Sequence, residues 1–303
     1  MLKRLISGEK FYYLQFTYPY ENLQDIVNEI VKTGHSSVKP LNNVTKQNNV
    51  RRVPSNGLCS KNLCDGFDMV FIVKSFVGNF GQRIAIRNTW GKAEIIRLKT
   101  VFVLGYIKDM QNYIDLESEK FQDILQFDMT DNYGNLVYKT IYSMTWLADH
   151  NINTQYVHFL DDDRMVNTFN LYNFASTSIT QTDMKMIGHQ ISFGMPFRDS
   201  SSKWYISVDE YPFDLWPPYL IGGTILTNMI VVKNIARSFP FTKIIRMEDT
   251  YIGILAKLLN IKVVHNSGFL PHYISGLKLK DNLSSPDYKS YFAIIDGWKE
   301  IID

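Results

Sequence analysis

The stretch Gln155-Tyr156-Val157-His158-Phe159-Leu160-Asp161-Asp162-Asp163 sets an apolar run directly against three consecutive carboxylates. Short runs rich in Val, Ile, Leu and Phe that end in turn or acidic residues mark strands buried on both faces. Three comparable runs precede it: FDMVFIVK (67–74), TVFVLG (100–105) and DILQFD (123–128). Before the last run, GNLVYKTIYSMTWLADH (134–150) places Val137, Ile141, Met144 and Ala148 on one face of an amphipathic helix. Alternating strands and helices predict an α/β domain with a largely parallel sheet. Its ligand site should lie beyond the carboxyl ends of the strands.

Outward from that block the pattern changes. After about residue 185 come aromatic and Pro-rich loops, a second apolar stretch (220–232) and a helix over 249–259. Residues 1–66 are polar and uneven, and PLNNVTKQNNVRRVPSNG (40–57) reads as loop or linker. The expected division is a stem-like N-terminal extension over 1–66 and a catalytic domain over 67–303.

The 303 residues are 45% hydrophobic, 20% charged and 14% aromatic, which excludes disorder, collagen and coiled coil. Thirty-two Lys and Arg against thirty Asp and Glu give a net charge of +2, too even for a nucleic-acid binder or a polybasic membrane surface. Cys59 and Cys64 have no partners at metal-ligand spacing, so a zinc site is not expected; they close a small loop or stay free. No apolar run reaches the roughly 18 residues of a membrane span. The N-terminus MLKRLISGEKFYYLQFTY does not read as a signal peptide, because Gly8, Glu9 and Lys10 interrupt it. Asn43-Val44-Thr45 and Asn282-Leu283-Ser284 are N-glycosylation triplets, relevant only in a secreted chain.

Four features carry chemistry. Asp161, Asp162 and Asp163 repel one another at the end of a buried strand and call for positive compensation. A hard divalent cation such as Mn²⁺ or Mg²⁺ fits, completing its shell with substrate phosphate and water; the other reading is a solvated acidic turn aided by Arg164. In QRIAIRNTWG (82–91), Arg83 and Arg87 share a helix face from which guanidinium forks could reach a diphosphate or the acidic cluster, although such arginines are also common on plain surfaces. In Met247-Glu248-Asp249 the carboxylates open a helix, where they either cap it or act as general base toward a hydroxyl. His272, in NSGFLPHY, suits a Mn²⁺ shell with carboxylates, whereas His158 reads as structural.

In their order these motifs resemble the beta-1,3-galactosyltransferase family, with its related beta-1,3-N-acetylglucosaminyltransferases. The blocks are IVKS with RIAIRNTWG, VFVLG, FDMTDNYGNLVYKT, YVHFLDDDRMVN, the stretch from IGHQISFGMPFRDSSSKWYISVDEYPFDLWPPYLIGGT, and EDTYIGILAKLLNIKVVHNSGF. The resemblance covers roughly residues 67–277. It implies a GT-A-type nucleotide-sugar-binding fold, an α/β architecture with a largely parallel central sheet flanked by helices. It also implies a UDP-sugar donor, Mn²⁺, and inverting transfer to the 3-hydroxyl of an acceptor on a glycoprotein or glycolipid, in the Golgi lumen. Carried over by position, Asp161 and Asp162 belong to the donor motif, Asp163 and Asp161 to the metal, and His272 to the metal as an added ligand. Asp249 becomes the catalytic base. Arg83, Arg87 and Lys139 come near the nucleotide, and Trp204 and Tyr205 belong to a shared block without an assigned role.

The sequence also departs from the family pattern. Leu220 and Ile221 stand where a Cys-Ser pair is usual, other downstream cysteines are missing, and Arg164 replaces an apolar residue. The usual N-terminal anchor is not seen. These departures keep one alternative in view, a catalytically inactive GT-A-fold binding or scaffold protein, and a third reading, a metal-dependent nucleotidyltransferase, stands because it too uses paired carboxylates at strand ends.

Overall fold

The computed structural model describes residues 22–45, 50–54, 66–92 and 96–303; Cys59 and Cys64 lie outside the described residues. In chain order, the first elements are α1 (Leu23–Thr33), β1 (Val50–Arg52), β2 (Phe67–Lys74), α2 (Phe80–Asn88), β3 (Leu98–Tyr106), α3 (Gln111–Phe121) and β4 (Ile124–Thr130). Then come α4 (Leu136–Asp149), β5 (Thr154–Asp161), β6 (Met165–Val166), α5 (Thr168–Ser178), β7 (Lys185–Gly188), β8 (Gln190–Ile191) and β9 (Tyr219–Leu220). The last are β10 (Thr224–Thr227), α6 (Met229–Ser238), α7 (Glu248–Leu258), β11 (Lys262–His265), α8 (Gly276–Leu279), β12 (Ser284–Ser285) and α9 (Tyr291–Ile302).

The four apolar runs become β2, β3, β4 and β5, all parallel, inside an eight-stranded sheet of order β1-β4-β3-β2-β5-β10-β7-β11. Their continuous hydrophobicity has a direct cause: alternate residues face two different cores. Val70 and Ile72 of β2 pack with α4, α6 and α7, while Met69, Phe71 and Val73 pack with α2, α5 and α9. The sheet is therefore covered by helices on both faces, the α/β architecture that the pattern predicts.

Two regions depart from a reading by alternation alone. The apolar stretch 220–232 is not one element: Gly222 and Gly223 turn the chain, β10 runs antiparallel to β5 and β7, and Asn228 then caps α6 by accepting from Val231 N at 3.1 Å. Packing also begins upstream of Phe67. Leu23, Ile26 and Val27 of α1 are buried in the same core as β2, and α1 lies on α6. Asn42 ties the segment after α1 to Phe239 O and Thr242 O, and β1 adds an antiparallel edge strand to β4. Residues 22–54, so far as they are described, are thus docked on the domain to which the extension over 1–66 is attached. Among the described residues, no helix is long and apolar enough to cross a membrane.

The chain runs from β2 outward to β3 and β4, then crosses back so that β5 pairs with the other side of β2. Strand order therefore reverses between β2 and β5, and a crevice opens beyond their carboxyl ends. Lys74, last in β2, is the register partner of Asp161, last in β5.

Candidate active site

The crevice is a cleft of about 400 Å³, within the range of small-molecule sites. Asp161, Gly222, Glu248 and Asp249 line it together with Tyr133, Met195, Phe197, Trp204, Trp216, Tyr219 and Arg246. Polar groups thus face an aromatic wall.

Asp161 lies at the strand end, where its backbone N donates to Gly223 O at 3.3 Å. Lys74 Nζ is 3.2 Å from its Oδ1, an ion-pair contact that gives the carboxylate its positive neighbour. Gly223 has φ +89, and a Cβ there would come within 2.6 Å of Asp161 Oδ2. Both the backbone conformation and the closeness of the carboxylate require glycine. Asp162 points the other way, into the protein, accepting from Asn79 Nδ2 at 3.0 Å. Asp163 is half-buried; burial first, then the Asp161 and Asp162 charges, push its carboxyl up to about 6. A group so pushed gains from a nearby cation.

Lys74 is the centre of a buried ion cluster. Its Nζ donates to Glu248 Oε1 at 2.7 Å and Oε2 at 2.9 Å, and the Thr140 hydroxyl donates to the same Glu248 carboxylate. Burial pulls the Lys74 ammonium down, but the Asp161 and Glu248 carboxylates together outweigh it and hold it above the ordinary lysine value. Glu248 is therefore committed to Lys74. Asp249, the next residue, opens into the cleft and accepts from Thr250 N at 2.8 Å and Gly222 N at 3.4 Å. Burial raises its pKa although those backbone donors oppose it, which makes it a stronger base than an ordinary aspartate. Across from it Tyr219 is pushed up to about 12 by burial and by the Asp249 charge, so its phenol keeps its proton.

The remaining expected site residues fall into three groups. Arg83 and Arg87 do share a helix face, but it is turned inward: both donate to Glu117, and Arg87 also to Asp123, at 2.7–2.8 Å. Arg83 is fully buried, and neither guanidinium lines the cleft. Lys139 is likewise buried, with Nζ 2.6 Å from Asp131 Oδ1 and 2.6 Å from Ser75 O. His272 is exposed on the loop after β11, its carbonyl accepting from the Ser285 hydroxyl at 3.0 Å. Among the described residues, no three His, Cys, Asp or Glu side chains converge as metal ligands, so Asp161, Asp163 and His272 do not form a closed set. What the strand end does offer is a partly exposed Asp161 carboxylate in contact with Lys74 and an Asp163 carboxyl in need of positive charge. That suits a hard cation held by one or two carboxylates and completed by phosphate oxygens and water.

Trp204 reaches the cleft, its Nε1 donating to Tyr133 Oη at 3.1 Å and its ring 5.3 Å from Phe197. Tyr205 contributes its backbone oxygen to Arg246. Arg164 is buried; its NH2 donates to Leu270 O at 2.9 Å and Ser284 Oγ at 3.2 Å, and its backbone N donates to Asp161 O at 3.4 Å. Lys74, Gly223 and Trp216 went unread in the sequence. Lys74 closes the apolar run FDMVFIVK, so its place at the carboxyl end of a strand is the signal that points to it; no local signal points to the other two.

A profile of the galactosyltransferase family matches residues 81–267. The chain is 34% identical over 209 residues to the beta-1,3-galactosyltransferase brn of Drosophila melanogaster, covering 67% of this chain and 64% of that protein. It is 33% identical over 217 residues to beta-1,3-galactosyltransferase 1 of Mus musculus, covering 70% and 65%. To the beta-1,3-galactosyltransferase bre-5 of Caenorhabditis elegans it is 31% identical over 209 residues, covering 67% and 64%. The match therefore spans a little under two thirds of the length of these relatives.

Proposed function

This chain belongs to the galactosyltransferase family, and from that premise we propose that the cleft is the active site of an inverting, metal-dependent hexosyltransferase. It moves galactose or an N-acetylhexosamine from a UDP-sugar to the 3-hydroxyl of an acceptor glycan, in beta linkage, with Mn²⁺ as cofactor. One observation carries the proposal: Asp161 and Asp249 line the same cleft, one the first residue of the acidic triplet and the other placed to take a proton.

Asp161 and Asp163 would hold Mn²⁺, which when bound supplies positive charge to the departing diphosphate. Asp249 accepts the proton of the acceptor hydroxyl as that oxygen attacks the anomeric carbon. The bond from that carbon to the phosphate oxygen breaks on the opposite face, and its electron pair leaves with UDP. A single displacement of this kind inverts an alpha donor to a beta product and needs no nucleophilic side chain. The aromatic wall of Tyr133, Phe197 and Trp204 offers the acceptor sugar an apolar face to stack on. An acceptor on a glycoprotein or glycolipid, met in the Golgi lumen, belongs to the same reading.

The decisive assay is a screen of UDP-sugars with simple acceptor glycosides, reading released UDP with Mn²⁺ and with chelator. Metal-dependent, acceptor-dependent release supports the proposal, and its absence for every donor opposes it. The alternative, a GT-A-fold binding protein without turnover, has the Lys74–Asp161 contact in its favour, since Lys74 already supplies a positive charge to the motif. Binding of UDP without any transfer would be its signature.

A further inference from the structure

The loop from Ser75 to Asn79, between β2 and α2, has three successive carbonyls claimed by two buried cations. Lys139 Nζ donates to Ser75 O at 2.6 Å, Arg83 NH1 to Phe76 O at 2.7 Å and Arg83 NH2 to Val77 O at 3.0 Å. Each cation is matched by a buried carboxylate. Glu117 takes Arg83, and Asp131 takes Lys139 while its Oδ2 also accepts from Val77 N at 3.0 Å and Gly105 N at 3.1 Å. The loop is therefore held from both sides by groups that have nowhere else to go, because a buried charge left unpaired is strongly penalised.

That loop ends on the acidic triplet. Asn79 Nδ2 donates to Asp162 Oδ2 at 3.0 Å. Arg83 NH1 also donates to Ser75 Oγ at 3.0 Å, and the Ser75 hydroxyl donates to Phe76 O at 3.3 Å, so the guanidinium grips the loop by a side chain as well as by its carbonyls. Asp162 N donates to Lys74 O at 3.2 Å, so the middle residue of the triplet is pinned at backbone and side chain alike. Asp161 and Asp163, one on each side, inherit their directions from it.

We infer that Arg83 and Lys139 are positioning residues: without touching the donor, they hold the Ser75–Asn79 loop, and through Asn79 and Asp162 they set the orientation of Asp161 and Asp163. The inference rests on the donor reading of the cleft and adds to it the device that keeps the carboxylates in place before ligand arrives. Outer partners of this kind change affinity about 10- to 100-fold when removed, although they make no contact with what is bound.

The test uses the full chain with UDP and Mn²⁺ as probes, followed by calorimetric titration. Asn79 is half-buried at the loop's end, so Asn79→Ala should still fold, with a lowered thermal midpoint, and bind UDP roughly tenfold or more weakly. Asn79→Asp, which sets a like charge against Asp162, should lose more. In turnover, donor KM should rise while acceptor KM stays, a split that general loosening of the fold would not give. Arg83→Lys, which keeps the charge but not the fork, should show the same split if it folds. Asn79→Ala binding UDP as tightly as the unaltered chain overturns the inference alone. An unaltered chain that binds no uridine nucleotide overturns the donor reading and the inference with it.

Discussion

Lys74 and Glu248 form a buried ion pair, 2.7 Å from Nζ to Oε1, that joins the last residue of β2 to the first of α7. Their side chains are 2% and 5% exposed, and Lys74 also contacts Asp161. One ammonium thus ties the strand end that carries the acidic triplet to the helix that carries Asp249. The two halves of the cleft are fixed relative to each other by a charge that neither half could bury alone.

Replacing Lys74 with Met should therefore be severe. It leaves the Glu248 charge buried without its partner, which costs about 3–5 kcal/mol in comparable pairs. The double variant Lys74→Met, Glu248→Leu should recover much of that loss, because the deeply buried carboxylate goes with its partner and only Asp161, 35% exposed, is left without the ammonium. Denaturant unfolding of the two variants and the unaltered chain checks both statements; equal stability of the single and double variants would count against the pair.

Asp249→Asn keeps the side chain's size and removes its basicity. UDP binding should be nearly unchanged, while acceptor-dependent turnover should fall by about 10²–10⁴. Because burial raises the Asp249 pKa, the acid limb of kcat/KM in the unaltered enzyme should lie above the ordinary aspartate value near 3.9. Activity is lost as pH falls through that limb, when the base is protonated. A pH profile and a titration with UDP measure the two effects separately.

The paired glycines give a control built into one turn. Gly223→Ala demands a strained backbone at φ +89 and sets a Cβ 2.6 Å from Asp161 Oδ2, so it should cost about 1–3 kcal/mol and weaken donor binding. Gly222→Ala sets its Cβ 3.6 Å from Asp249 Cβ, an ordinary contact, and should be far milder. Thermal unfolding and UDP titration of the two variants side by side decide it.

Much of this was legible in the sequence because the informative features were local. The runs ending at Lys74 and Asp161 announce buried parallel strands, whose carboxyl ends mark the side on which the site lies, whereas the reversal of strand order that opens the crevice belongs to the folded sheet. Position along a helix, in contrast, does not say which way a charge faces. Arg83 and Arg87 keep the expected spacing, but Glu117 and Asp123, thirty or more residues downstream, draw them inward. Glu248 and Asp249 are adjacent and alike in sequence. Only tertiary contact separates the partner of Lys74 from the base, and the same holds for α1, whose burial depends on α6.

Trp204→Ala should act on the acceptor side alone. Trp204 stands in the aromatic wall with Phe197 and Tyr133, and removing a sugar-stacking ring commonly loses about 1 kcal/mol. Acceptor KM should rise several-fold with donor KM unmoved. Initial rates over a grid of donor and acceptor concentrations separate the two constants.

His158 gives the chain an acid limit independent of catalysis. Its ring is fully buried on β5, with Nε2 2.8 Å from Thr224 Oγ1 and Phe71 and Phe269 edge-on at 5.5 and 5.9 Å. Burial, reinforced by the Arg164 charge, pulls its pKa down to about 3. In the unfolded chain the same ring titrates near 6.5. Between those values the unfolded state binds a proton that the native state does not, so stability is full above about pH 6.5 and is lost as pH falls, by about 1 kcal/mol per unit. His158→Gln removes that titration. Whatever its stability at neutral pH, the difference between it and the unaltered chain should shift in the variant's favour as pH falls from 7 to 5. Urea unfolding at several pH values over that range measures the slope, and parallel curves for the two proteins would contradict a neutral, buried His158.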